Sequence, residues 1–417
     1  MSEKTPYSPY RWLILTVCCV ALIAYAIDMI VYAPIFGEVA NDLKIDMGTA
    51  INLSMAFALA VAVAMMFGGM IVDRCGLTFV FVLGLACASV PATLMPWIGY
   101  SYTTVFIARL LQGVVAIIFA AIGPILALWF PRKEHGIAGG LMMCSLSIGP
   151  AVGVIVSPEV LLMAGTWQKT VAILSLPGWI AMILAVIITR RPPNPGIAGA
   201  MMEDTGSPAG RITYGKIFAM PMTWVGTFIA FFNSWGIYSL YNLIPPYFAT
   251  ASPTGVGLGP VAAGKLSLIL VLAGIPAFIC GGVFFDRVAK GRHRPAIFIG
   301  FVMTGIFTYL LLLPMVYQNT ILLVVCLVIA GWGMSFMAPT LSAFIATNYP
   351  PNYVGSMMGW WFGFGTFGGA MGTYLAGVAT RQSGTFYWAL TPISLAACAG
   401  FILGFFLKSR RKGGTQQ

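Results

Sequence analysis

Gly69-Met70-Ile71-Val72-Asp73-Arg74-Cys75-Gly76 sets an acid and a base side by side where one long apolar run stops and the next begins. A shorter copy returns as Gly282-Val283-Phe284-Phe285-Asp286-Arg287. Its Gly-to-Asp spacing is the same, and the offset is 213 residues (286 − 73), about half of the 417-residue chain. A charged turn that recurs once per half, between apolar helices, predicts a duplicated membrane protein that moves one half against the other. Gly69, Asp73, Arg74, Gly282, Asp286 and Arg287 mark these two turns.

Composition supports that class. The chain is 59% hydrophobic and 8% charged, against roughly 25% charge in a soluble domain. So few charges cannot cover a soluble surface of this size, which leaves lipid as the solvent. The net charge of +11 does not indicate nucleic acid, because the bases flank apolar segments instead of forming one patch. The eight cysteines lie mostly inside apolar runs, without metal-ligand or disulfide spacing. They read as small core residues, and neither a metal nor a cofactor is expected. There is no nucleophile–base pair, and the two histidines, His135 and His293, fall in loops, so an enzyme is not expected.

Runs long enough to span a bilayer, about 20 residues each, fall near 12–35, 49–71, 78–99, 103–130, 137–163, 170–189, 220–248, 261–285, 295–317, 320–346, 354–379 and 385–407. Continuous runs of this length exclude the alternating pattern of a membrane barrel. The expectation is an all-α membrane protein with twelve transmembrane helices in two pseudo-symmetric six-helix bundles. The N-terminal bundle is 1–189, a cytoplasmic linker is 190–219, and the C-terminal bundle is 220–417. With the N-terminus inside, seventeen Lys and Arg lie on one side, against Lys44, Lys169, Lys265 and Arg381 on the other. That bias puts both termini in the cytoplasm, in a multi-pass protein of the cytoplasmic (inner) membrane that is expected to be a monomer.

Two charges sit deep in the first half. Asp28 lies 17 residues past Arg11, about 26 Å up a helix at ~1.5 Å per residue. An unpaired carboxylate there costs several kcal/mol, so Asp28 reads as a proton carrier, the partner of a buried cation, or an interfacial cap near Pro34. Arg109, in Arg109-Leu110-Leu111-Gln112-Gly113, cannot shed its charge and must be paired, hydrated or facing an anion. The expected contact is between Asp28 and Arg109, direct or through water.

The halves share a scaffold but not these charges. Gly136, Gly140, Gly149 and Gly153 recur as Gly355, Gly359, Gly368 and Gly372, each shifted by 219. Position 109 has no basic counterpart in the corresponding interval, Leu322 to Val328. In the second half Asn233, Tyr238, Tyr241 and Asn242 can share one broad helix face. Asn233, Tyr238 and Tyr241, with Trp332, Trp360 and Lys265, are candidate substrate contacts; interhelical bonding, core packing and, for Lys265, snorkelling at the outer interface are the alternative readings.

These residues resemble a family. Gly69 to Gly76 resembles the loop between the second and third helices of the major facilitator superfamily, and Arg109 to Gly113 looks like its fourth-helix motif. Gly149-Pro150-Ala151-Val152-Gly153 resembles the fifth-helix motif of proton-coupled antiporters. The resemblance implies rocker-switch transport of a small solute, with the Asp73–Arg74 turn associated with closure of the cytoplasmic side. The fourth helix is most similar to that of the anion:cation symporter group. Members of that group typically carry an acid where this chain has Ala116, and a base where it has Met29. The expected activity is secondary active transport of a small, carboxylate-like organic anion, proton-coupled through Asp28 or by exchange. The alternative is proton-coupled efflux of amphiphilic drugs.

Overall fold

Helix is the only regular structure in the computed structural model among the residues it describes, 8–131, 134–190, 214–349 and 351–407. Most of the expected linker, 191–213, lies outside the described residues, as do the surroundings of Gly69 and the side chains of Asp73 and Asp286. Nine described segments are helical, long and apolar enough to cross a membrane. They are Arg11–Leu43, Met47–Gly68, Arg74–Ile98, Tyr102–Gly123, Ile137–Ala164, Trp167–Ile188, Pro260–Val283, Thr320–Asn348 and Tyr387–Gly404. Pro221–Ala249, His293–Leu310 and Pro351–Ser383 are helices of 29, 18 and 33 residues that fall outside that set. The first carries Asn233, Asn242 and three prolines, and the last is rich in glycine, so their mean hydropathy drops although their length does not. Large apolar side chains face outward, among them Leu162, Ile187, Ile279, Ile321 and Leu395. A surface of this kind is stable only against lipid.

The turn at Gly69–Gly76 narrows to one residue. Helix runs on both sides of it, within Met47–Ile98, and the break is Gly76 at φ 78°, ψ 172°. That conformation is open essentially to glycine alone, and the space around it is empty. Gly76→Ala therefore acts through the backbone only. It should cost about 1–3 kcal/mol and lower the melting temperature of the purified protein; an unchanged melting temperature would contradict this reading. The downstream copy has Ala289 in place of the closing glycine. The chain turns there through a π-helical segment, Phe284–Val288, and takes its positive φ at Lys290 and Gly291 instead.

Several of the expected continuous helices are interrupted, among them the first, the fourth and the tenth. The first ends at Ile30, passes through a 3₁₀ turn at Ala33–Ile35 and resumes as Phe36–Leu43. Pro34 is the cause, since it has no N–H to offer the Ile30 carbonyl. The fourth changes to 3₁₀ at Val114–Ile118, between Tyr102–Gly113 and Phe119–Trp129. The tenth breaks at Met337, before Pro339.

The repeat is visible in the packing. Gly149 and Gly153 seat against Ala26, Ile27 and Ile30 of the first helix, as Gly368 and Gly372 seat against Phe231, Trp235 and Ser239 of the Pro221–Ala249 helix. Residues before 191 and after 213 also meet directly. Gly48 lies on Gly377 and Arg381, Gly363 on Met66, and Gly264 on the Val154 carbonyl and Pro158. Near Gly48, Asp46 caps its helix by accepting from the Thr49 backbone N–H (2.9 Å) and hydroxyl (2.6 Å). Burial raises its carboxyl, but these bonds and the charge of Arg381 leave it below the ordinary carboxylate value. At the opposite end, Arg11 pairs with Glu134 at 3.0 Å. There Phe119–Trp129 packs mainly on first-half helices and Ala338–Asn348 mainly on second-half helices.

Candidate functional site

Arg109 is fully buried, at 0% exposure, and its position follows from where the first helix ends. The last four carbonyls of a helix have no partner within it and carry its negative dipole end. Because the first helix stops at Ile30, the Asp28 carbonyl is one of them, and Arg109 Nη1 donates to it at 2.9 Å. Nη1 also donates to Gln112 Oε1 (3.0 Å), and Nε donates to the Leu53 carbonyl (3.2 Å). The guanidinium lies over the rings of Tyr32 (4.6 Å) and Phe57 (4.4 Å), an arrangement that adds cation–π attraction. Asp28 and Arg109 are thus in direct contact, as expected, but the contact is made by the Asp28 backbone. The Asp28 carboxylate is buried and within reach of the guanidinium's charge. Among the described residues it forms neither a hydrogen bond nor an ion pair.

A second set of contacts joins the halves one ring away. Phe57 also packs on Tyr25, at 6.0 Å between ring centroids. The Tyr25 hydroxyl is 3.1 Å from that of Tyr238, exactly one repeat (213 residues) later in sequence. One helical turn beyond Tyr238, Asn242 accepts from Ser54 at 2.6 Å and donates to the Tyr238 carbonyl at 2.8 Å. Tyr238 therefore reaches the neighbourhood of Arg109 through Tyr25 and Phe57.

The other candidates are placed differently. Asn233 is buried with its carbonyl oxygen unpartnered, while Tyr241 and Trp332 are half-buried. Trp360 donates to Thr227 Oγ1 (3.2 Å) and packs edge-on against Phe218 and Trp224. Lys265 is exposed near the start of its helix, and Arg74 and Arg287 are exposed at the two turns. Gln112, Tyr32, Phe57 and Tyr25 were missed by sequence reasoning. Gln112 stands three residues after Arg109, a helical neighbour, and the 213-residue offset applied to Tyr238 leads to Tyr25.

Among the described residues, an all-helical bundle with an outward apolar surface defines a multi-pass membrane protein. The family model described as Major Facilitator Superfamily matches residues 17–293 and 289–417, and the chain belongs to that superfamily of transporters. It is similar to the rice protein "Probable anion transporter 3, chloroplastic", with 25% identity over 76% of this chain and 64% of that one. It is similar to the "Gentisate transporter" of Corynebacterium glutamicum, with 24% identity over 84% of this chain and 77% of that one. A third relative is "Probable anion transporter 4, chloroplastic" of Arabidopsis thaliana, with 26% identity over 43% of this chain. The matched region covers 37% of that Arabidopsis protein, and in both plant relatives it is less than two thirds of the full length.

Proposed function

We propose that the chain carries a small organic anion across the cytoplasmic membrane by alternating access, with Arg109 as the anion's counter-charge and Asp28 as the proton carrier. One observation carries the reading: the buried guanidinium is held only by neutral oxygens, two backbone carbonyls and an amide. Among the described residues no carboxylate pairs with it. A buried charge compensated in this way remains short of a counter-ion, and an anionic substrate supplies one. The names of the relatives, anion transporters and a gentisate transporter, support the same class. The reading includes twelve spans in two bundles, 1–189 and 220–417, with the Arg74 end and both termini in the cytoplasm. Asn233, Tyr238, Tyr241, Trp332, Trp360 and Lys265 complete the proposed substrate contacts, and the two charged turns act as gates.

The coupling has its own test. In proteoliposomes, Asp28→Asn should abolish accumulation of a carboxylate driven by a pH gradient while leaving carboxylate exchange intact. Gradient-driven accumulation at the wild-type level in that variant would remove Asp28 from the proton path. A second reading, efflux of amphiphilic drugs, draws on the aromatic row Trp224, Trp360 and Phe364, whose rings lie 6.0 and 5.5 Å apart.

A further inference from the structure

Three hydrogen-bond donors around Arg109 have no acceptor: Arg109 Nη2, Gln112 Nε2 and the Tyr32 hydroxyl. All three side chains are at 0% exposure. Buried donors left unpaired are costly, so three of them beside one cation mark where an acceptor-bearing ligand gains most.

The occupied hydrogens decide what kind of ligand fits. A guanidinium has five N–H groups. Nε commits its hydrogen to the Leu53 carbonyl, and Nη1 commits both of its own, to the Asp28 carbonyl and to Gln112 Oε1. A two-pronged grip on a carboxylate or phosphate needs two neighbouring nitrogens, Nη1 with Nη2 or Nε with Nη2. One member of each pair is already taken, so Nη2 alone is left to reach a ligand. The same logic orients Gln112: a guanidinium only donates, so the amide oxygen faces Nη1 and Nε2 is turned away as a second donor.

Charge narrows the choice further. Arg109 is the one buried Lys or Arg among the described residues, and Lys265 is exposed. A second negative charge on the ligand would find no buried counter-charge, a costly arrangement in a lipid-embedded site.

We propose that the site takes a singly charged carboxylate and discriminates against phosphate esters and other dianions, with Gln112 setting that preference. One carboxylate oxygen accepts from Arg109 Nη2 and the other from Gln112 Nε2, with the Tyr32 hydroxyl as third donor. The proposal rests on the anion reading above and narrows it. Gln112 has two tasks, donating to the substrate and occupying Nη1. Removing it frees an Nη1 hydrogen and restores the two-pronged edge, so its loss changes the preference as well as the affinity.

The test is calorimetry and thermal shift on the purified full chain in nanodiscs, at pH 7, with matched headgroups. The pairs are acetate and methyl phosphate, benzoate and phenyl phosphate, and glycerate and glycerol 3-phosphate. At least one carboxylate should bind about tenfold or more tightly than its phosphate partner. Gln112→Met, of similar length but without the donor, should weaken that carboxylate and narrow or invert the ratio. A phosphate that binds as tightly as its carboxylate overturns the proposal and leaves the anion reading standing. So does an unchanged ratio in a stably folded Gln112→Met protein; if that variant does not fold, the wild-type ratio decides alone. Failure of all six anions to bind overturns the anion reading itself.

Discussion

Arg109→Gln should abolish anion transport and weaken anion binding by at least about a hundredfold. The substitution removes the permanent charge and the free Nη2 donor together. A hydrogen bond to a charged group contributes about 1.5–3 kcal/mol, and the lost ion pair in a site sealed from water adds to that. Arg109→Lys should rescue little. An ammonium keeps the charge, but as a point on a flexible stem it cannot serve the Asp28 and Leu53 carbonyls and the Gln112 oxygen in the fixed fork of a guanidinium while staying over the Tyr32 and Phe57 rings. Both variants should also melt earlier, because the carbonyl at the end of the first helix loses its partner. Uptake in proteoliposomes separates the two losses: a variant that still inserts and folds but neither binds nor carries the anion fits the account. Anion affinity intact in Arg109→Lys would take the guanidinium out of the site.

The second large effect is expected at the seam between the halves. A Cβ on Gly377 would meet Asn52 Oδ1 and the Gly48 carbonyl, and one on Gly48 would meet the Gly377 carbonyl and Arg381. Gly377→Val therefore has no room while this end is closed, and overpacking costs about 1–3 kcal/mol. In a carrier that alternates, the cost falls on the closed state alone. A bias of about 2 kcal/mol shifts such an equilibrium roughly thirtyfold. Ser54, which lies at this seam and is 2% exposed, reports the shift. With the exposed Cys75, Cys280 and Cys398 replaced by serine, a Ser54→Cys probe should react much faster with a membrane-impermeant maleimide in the Gly377→Val background. Transport should fall in step. Equal labelling with and without the valine would mean that this seam does not open.

What the sequence disclosed follows from how far each signal reaches. Arg109 and Asp28 stood out because a charge in an apolar run has no cheap alternative to a partner. Their true contact was hidden, because it depends on a backbone carbonyl left free where the first helix ends, and Pro34 six residues later was the only sign of that. The 3₁₀ stretch Val114–Ile118 was illegible for a different reason. In lipid a β-branched apolar run looks the same whether its hydrogen bonds close to i−3 or i−4. The 213-residue offset was read from the charged turns, which are rare enough to align by eye. It holds equally at Tyr25 and Tyr238, but tyrosines are common in this chain, so only the 3.1 Å contact singled that pair out. Trp360 was picked for its depth, and depth does not say which neighbour a ring will meet; Phe218 and Trp224 hold it.

Among the described residues the buried Arg109 guanidinium has only neutral oxygens for partners, and we propose that an anion completes its site. Thermal-shift measurement of the purified protein against small carboxylates and lipophilic cations tests it most directly. The account predicts stabilisation by at least one carboxylate, lost in Arg109→Gln, and none by the cations. Stabilisation by the lipophilic cations alone would contradict it and favour the efflux reading.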